Sequence, residues 1–240
     1  MGTSSAYSAP STGNWPRAKT LMTRFARGTS GLGVLPRLLR SYVSAKGGSA
    51  SAATSASAGR AAAGRLGRFF TTLGTAGLDS ALREFRLDHL VGRPPEECLA
   101  GIVDALCGPG GTVDEDVARA AMIEVLAQLA DQCATADELE MLLAQQATAD
   151  GLVDILQDFV FEYIFERLLL ELGGRDAAAT RDQAAIVNAE RELRDYLRAR
   201  IETVDFSQQR LSGLDWNSPE ASAAIERLFR DAYAVAEELL

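Results

Sequence analysis

The sequence predicts an all-α fold, an irregular helical bundle with a flexible basic N-terminal tail. Two observations carry this prediction. Helix-start signals recur along the chain, each followed by apolar residues at three- and four-residue spacing, and no alternating strand pattern competes with them. Charge is divided along the chain as well. Residues 1–78 contain no Asp or Glu and ten basic groups, from Arg17 to Arg68, whereas the remaining 162 residues hold all 33 acids against 14 basic residues. The first third is therefore +10 and the rest −19, which predicts a basic leader and an acidic folded body.

Taken in order, residues 1–33 are punctuated by Pro10, Gly13, Pro16, Gly28, Gly31 and Gly33 and retain no helical period. Residues 1–48 as a whole read as a disordered basic tail, poor in large apolar side chains. Pro36 opens a short helix inside it, through Leu38, Leu39, Tyr42 and Val43, that ends at Gly47 and Gly48. Residues 49–75 are rich in Ala, Gly and Ser. Leu66, Phe69, Phe70 and Leu73 return at helical spacing, which predicts a weakly stable helix that depends on a neighbour.

Residues 76–240 form the acidic helical domain. A helix over Leu78–Phe85 is followed by one that Pro94 and Pro95 open, with Glu96 and Glu97 at its positive end, and that Gly108-Pro109-Gly110-Gly111 breaks. Thr112 and Glu115 make a capping box ahead of Val117, Ala121, Val125 and Leu129, and Thr135 and Glu138 repeat the device ahead of Leu139, Leu142 and Leu143. Thr148 caps the longest apolar helix, which runs to Leu172 and stops at Gly173 and Gly174. A charged helix over 177–204 and a loop over 206–217 come next. Ser218 caps the last helix, with Pro219 as its first residue.

Little in this sequence supports catalysis. His89 is the only histidine, which excludes a multi-His metal site and a Ser-His-Asp triad that does not use it. Gly28 to Gly33 is glycine-rich, but the chain has no Gly-Lys pair, so a phosphate loop of the Walker type is excluded. Asp150, Asp154, Asp158, Glu162 and Glu166 form a four-residue-spaced ridge matched by Arg191, Arg194 and Arg198, which predicts intramolecular pairing or a solvated face rather than a metal centre. Cys98, Cys107 and Cys133 are odd in number with no Cys-x-x-Cys spacing, as expected of buried, unreactive thiols in a reducing cytoplasm. No secretory signal and no uncharged apolar run of membrane length is visible. The expectation is a protein without catalytic residues, metal or cofactor.

Binding is the remaining class. Arg17, Lys19, Arg24, Arg27, Arg37 and Arg40 make a basic arm, and Trp15, Phe25 and Tyr42 lie among them as groups able to stack on bases. Direct nucleic-acid binding by this arm is one reading and protein docking is another. At the very start, Met1 precedes a small residue, so its removal exposes the Gly2 amine. Gly2, Thr3 and Ser4 on a long tail suit entry into another enzyme's active site. Ala6 stands where N-myristoylation wants Ser or Thr.

Several stretches together resemble the bacterial QatB family, a component of the Qat anti-phage defence system. They are Met1-Gly2-Thr3-Ser4-Ser5, Trp15-Pro16, Arg40-Ser41-Tyr42-Val43, Arg65-Leu66-Gly67-Arg68-Phe69, the run from Leu87 to Pro94 (Leu-Asp-His-Leu-Val-Gly-Arg-Pro), and Asp104-Ala105-Leu106 before a Gly-rich break. The resemblance implies a non-catalytic component acting beside an ATPase, a QueC-like enzyme of deazaguanine chemistry and a TatD-like metal-dependent nuclease. It also implies that the Gly2 amine is the attachment point for a modification made by the QueC-like partner.

Overall fold

Helices begin in this chain where a side chain satisfies the first free backbone N–H groups. The Thr135 hydroxyl accepts from the Glu138 N–H at 3.2 Å, and the Glu138 carboxylate accepts from the Thr135 N–H at 3.1 Å. Thr112 and Glu115 make the same reciprocal pair, at 3.2 and 2.9 Å. Thr148 accepts from the Gly151 N–H at 3.1 Å, and Ser218 from the Ala221 N–H at 3.2 Å. Each such cap contributes about 1 kcal/mol to its helix.

A computed structural model of the chain describes residues 13–29, 31–130, 132–173, 183–209, 211 and 213–238. Among the described residues are eleven α-helices and no strand: α1 Asn14–Ala26, α2 Leu35–Ala45, α3 Ser49–Thr54, α4 Ser57–Ala76, α5 Leu78–Glu84, α6 Pro95–Cys107, α7 Val113–Ala130, α8 Ala136–Gln146, α9 Ala149–Leu172, α10 Gln183–Ile201 and α11 Pro219–Glu237. The all-α expectation is met. No helix among the described residues is long and apolar enough to cross a membrane.

The leader departs from the sequence reading. Residues 14–26 are not an irregular tail but a helix with a buried face of Trp15, Ala18, Met22, Phe25 and Ala26. Trp15, Ala18, Met22 and Phe25 fall at i, i+3, i+7 and i+10, one side of a helix. Pro16 does not break this helix because it sits in the first turn, where no intrahelical N–H is needed. The disordered segment predicted over 1–48 is therefore corrected from residue 14 onward, since α2 also buries Leu35, Leu38, Leu39, Tyr42 and Val43. Residues 1–12 lie outside the described residues.

The chain divides into two compact units. The first draws its described residues from Met1–Ala56, Ile164–Val204 and Phe229–Leu240, and so holds α1, α2, α3, α10 and the last turns of α9 and α11. Its α2 ends in a buried polar cluster. Glu171 accepts from the Tyr42 hydroxyl at 2.9 Å and from Arg167 Nε at 3.1 Å, and its Oε1 lies 2.6 Å from Lys46 Nζ. The side chains of Lys46 and Glu171 are 5% and 2% exposed, so these charges meet out of water. Burial, with Tyr233 and Glu171 nearby, holds the Tyr42 phenol well above its usual value, so it remains a donor. The Lys46 ammonium also lies 5.9 Å from the Trp15 ring centre and 5.5 Å from that of Tyr42.

The second unit, Ser57–Tyr163 and Asp205–Leu228, holds α4 to α8 and the first turns of α9 and α11. Asp114, in the first turn of α7, accepts from the Ala58 N–H at 2.7 Å and the Ser57 hydroxyl at 3.2 Å, so it caps α4 in the way a local N-cap residue does. It also accepts from the Tyr163 hydroxyl of α9. At the other end of α6, Arg65 Nε donates to the Leu106 carbonyl and Arg119 Nη2 to that of Gly108 at 2.7 Å. Two cations thus sit on the negative end of that helix.

Cys98 and Cys107 are buried in this unit and Cys133 is half-buried; none is bonded to another. Burial pushes the Cys98 thiol up to about 11, and Cys107 likewise to about 11 despite the opposing pull of Arg119 and Arg65. Native protein treated with iodoacetamide at pH 8 is expected to gain one label quickly, at Cys133, and the other two only after denaturation. Intact mass reads this directly, and rapid triple labelling of folded protein contradicts it.

Candidate docking site

Six cations of the acid-free leader lie on the outside of the first unit. Arg17, Lys19, Arg24 and Arg27 on and just after α1, and Arg37 and Arg40 on α2, are all exposed, while the opposite faces of both helices are buried. The arrangement follows from helical spacing: apolar residues take the inner stripe and basic residues the outer one.

Three of the six converge. Arg17, Arg37 and Arg40 line one pocket of about 480 Å³ together with Asn14, Ser41 and Ser44. Among the described residues no acidic side chain lines it, and no carboxylate pairs with any of the three guanidiniums. Ser44 is fixed by donating to Glu237 Oε1 at 3.1 Å. Arg40 also borders Glu237 and Glu238 at the end of α11, yet lies within 4 Å of neither carboxylate. Arg24 and Arg27 stay outside the pocket, and the Lys19 ammonium is turned to the Trp15 ring, 5.8 Å from its centre.

Three open guanidinium forks around one concavity can bind carboxylates or phosphoryl oxygens bidentately. The sequence identified the residue types but as a mobile arm. It did not identify Asn14, Ser41 or Ser44, whose signal was the pairing of an overlooked α1 with α2.

Other expected sites are resolved as follows. Gly2, Thr3 and Ser4 lie outside the described residues. Trp15, Phe25 and Tyr42, read as groups for stacking on bases, are buried at 5%, 3% and 1% exposure and belong to the core. The carboxylate ridge of α9 is uneven: Asp150 and Asp154 are exposed, Glu162 is fully buried, and no group of three or more His, Cys, Asp or Glu able to hold a metal exists among the described residues. Of the matching arginines, Arg191 donates to Asn188 at 3.1 Å and Arg194 lies over the Phe165 ring at 4.4 Å.

No curated protein and no solved structure matches this chain. A family does: residues 47–236 match Qat anti-phage system associated protein QatB, a span that begins after the α1–α2 pocket. With 190 of its 240 residues so matched, the chain belongs to the QatB family and is a component of the Qat anti-phage system.

Proposed function

We propose that the protein is a non-catalytic component of the system, acting in the cytoplasm, whose N-terminal Gly2 is modified by a QueC-like partner enzyme. In this reading the α1–α2 pocket is where that partner docks. One observation supports it above the others. Among the described residues, three guanidiniums without a carboxylate partner face one pocket that includes Asn14 and Arg17, in the first turn of the helix nearest the N-terminus. A partner that seizes Gly2 meets this surface next, and an acidic patch on it would give steering as well as register. The chemistry asked of Gly2 is small. An α-amine titrates near pH 8, so a useful fraction is a neutral nucleophile at pH 7.

The experiment is intact mass of the protein expressed with and without the QueC-like partner. A mass increase that maps to Gly2, and appears only with the partner, is expected. In the combined Arg17→Glu, Arg37→Glu, Arg40→Glu variant the modified fraction is expected to fall at least tenfold with helicity retained, because reversed charge repels the partner as well as deleting contacts. An unchanged mass in both wild-type samples overturns the proposal.

A second reading, a nucleic-acid-associated adaptor, is favoured by the same exposed cations. It requires binding of DNA or RNA that weakens steeply with salt and is lost in the triple variant.

A further inference from the structure

Helix α4 carries four interior glycines, each of which weakens a helix relative to alanine. Three have a packing reason. A Cβ would stand 2.5 Å from the Tyr163 ring at Gly59, 2.4 Å from the Trp216 ring at Gly67, and 2.6 Å from the Ala147 carbonyl oxygen at Gly74. Gly64 has none, since a Cβ there meets nothing within 4 Å among the described residues. It opens instead onto a pocket of about 320 Å³ in the second unit, lined also by Arg60, Arg65, Arg68, Trp216 and Ser222.

Among the described residues no acidic side chain lines this pocket. Its guanidiniums are held from the side: Arg60 Nη1 by Glu226 at 2.7 Å, Arg68 Nε by Glu84 with Nη1 3.3 Å from the Asn217 amide oxygen, and Arg65 Nε by the Leu106 carbonyl. Each guanidinium has five N–H donors, so these anchors orient the forks without exhausting them. Arg65 has no carboxylate partner among the described residues. The Trp216 ring is fixed by its N–H, which donates to Thr71 Oγ1 at 2.8 Å.

We propose that this pocket binds a free mononucleotide through its phosphoryl group, and that the missing side chain at Gly64 keeps the space open. Guanidinium forks supply the phosphoryl recognition. Hydroxyl and amide groups and an anchored indole supply what a ribose and base require. A volume near 300 Å³ is at the small end of ligand pockets, the size of one nucleotide rather than a polymer.

The test is calorimetric titration of the full chain with AMP, GMP, CMP and UMP, and separately with pyrophosphate and a 5′-phosphorylated hexanucleotide. At least one mononucleotide is expected to bind one-to-one, tenfold or more tighter than pyrophosphate and the hexanucleotide. Gly64→Leu, which fills the pocket, is expected to weaken that binding at least thirtyfold without lowering Tm. Arg60→Gln, which can still hydrogen-bond Glu226, should weaken it about tenfold and serves as the second arm if Gly64→Leu fails to fold. The proposal is overturned by the absence of mononucleotide binding at millimolar concentration, by pyrophosphate or hexanucleotide binding equally well, or by unchanged affinity in a folded variant. The fate of the Gly2 modification has no bearing on this outcome.

Discussion

Replacing Glu171 by Ala is expected to destabilise the protein by about 3–5 kcal/mol. Three groups share this carboxylate: the Lys46 ammonium at 2.6 Å, the Arg167 guanidinium at 3.1 Å and the Tyr42 hydroxyl at 2.9 Å. All three are well inside the first unit, so water does not replace the lost acceptor. The asymmetry between making and breaking a buried ion pair decides the size. Folding the intact cluster yields little net energy because desolvation offsets attraction, but removing the Glu171 carboxylate takes a buried anion away from two buried cations. Glu171→Gln keeps the shape and two hydrogen-bonding atoms and should cost about half as much. Glu226→Ala is the comparison: it removes an ion pair with Arg60 whose side chains are 24% and 49% exposed, and should cost less than about 1 kcal/mol. Urea unfolding of the three variants at pH 7 ranks them. A Glu171→Ala cost no larger than that of Glu226→Ala contradicts the buried cluster.

Alanine substitution along α4 is expected to change sign with position. Gly59→Ala, Gly67→Ala and Gly74→Ala should each destabilise by about 1–3 kcal/mol, the range for forcing extra atoms into packed space. Gly74→Ala should be the worst, because the atom its Cβ meets is a backbone oxygen that cannot swing aside, whereas Trp216 and Tyr163 are side chains. Gly64→Ala should instead stabilise by about 0.5–1 kcal/mol, by restricting the unfolded chain at a site with room for the methyl group. Thermal unfolding of the four single variants measures the pattern. A loss at all four positions would mean that α4 meets something at Gly64.

Most of this helical order was legible because the chain writes its starts and stops in local chemistry. Thr135 with Glu138, Thr148 and Ser218 are visible as caps in one dimension and act as caps in three. Gly47 and Gly108 stop helices where they were expected to, with φ of +90° and +80°. α1 is hidden in the sequence because Gly13, Pro16 and Gly28 are strong breakers, while the stripe from Trp15 to Phe25 is carried by only three large side chains and Ala18. The α1–α2 pocket was half legible. Its cations follow from the absence of acids before Asp79, but their convergence depends on α1 lying against α2. The Glu171 cluster and the Gly64 pocket were not legible at all. Lys46 and Glu171 are 125 residues apart, as are no two residues a periodicity argument can join, and Gly64 looks like its three neighbours until a Cβ is placed on each.

The chain contains two tryptophans, and they fall one to each unit: Trp15 against Tyr42 and beneath Lys46 in the first, Trp216 against Gly67 in the second. Each half of the molecule therefore carries its own optical probe. Emission from one indole follows the surroundings of the buried Glu171 cluster, and emission from the other follows the wall of the arginine-lined cavity. Phenylalanine at either position silences one signal and leaves the other to be recorded alone.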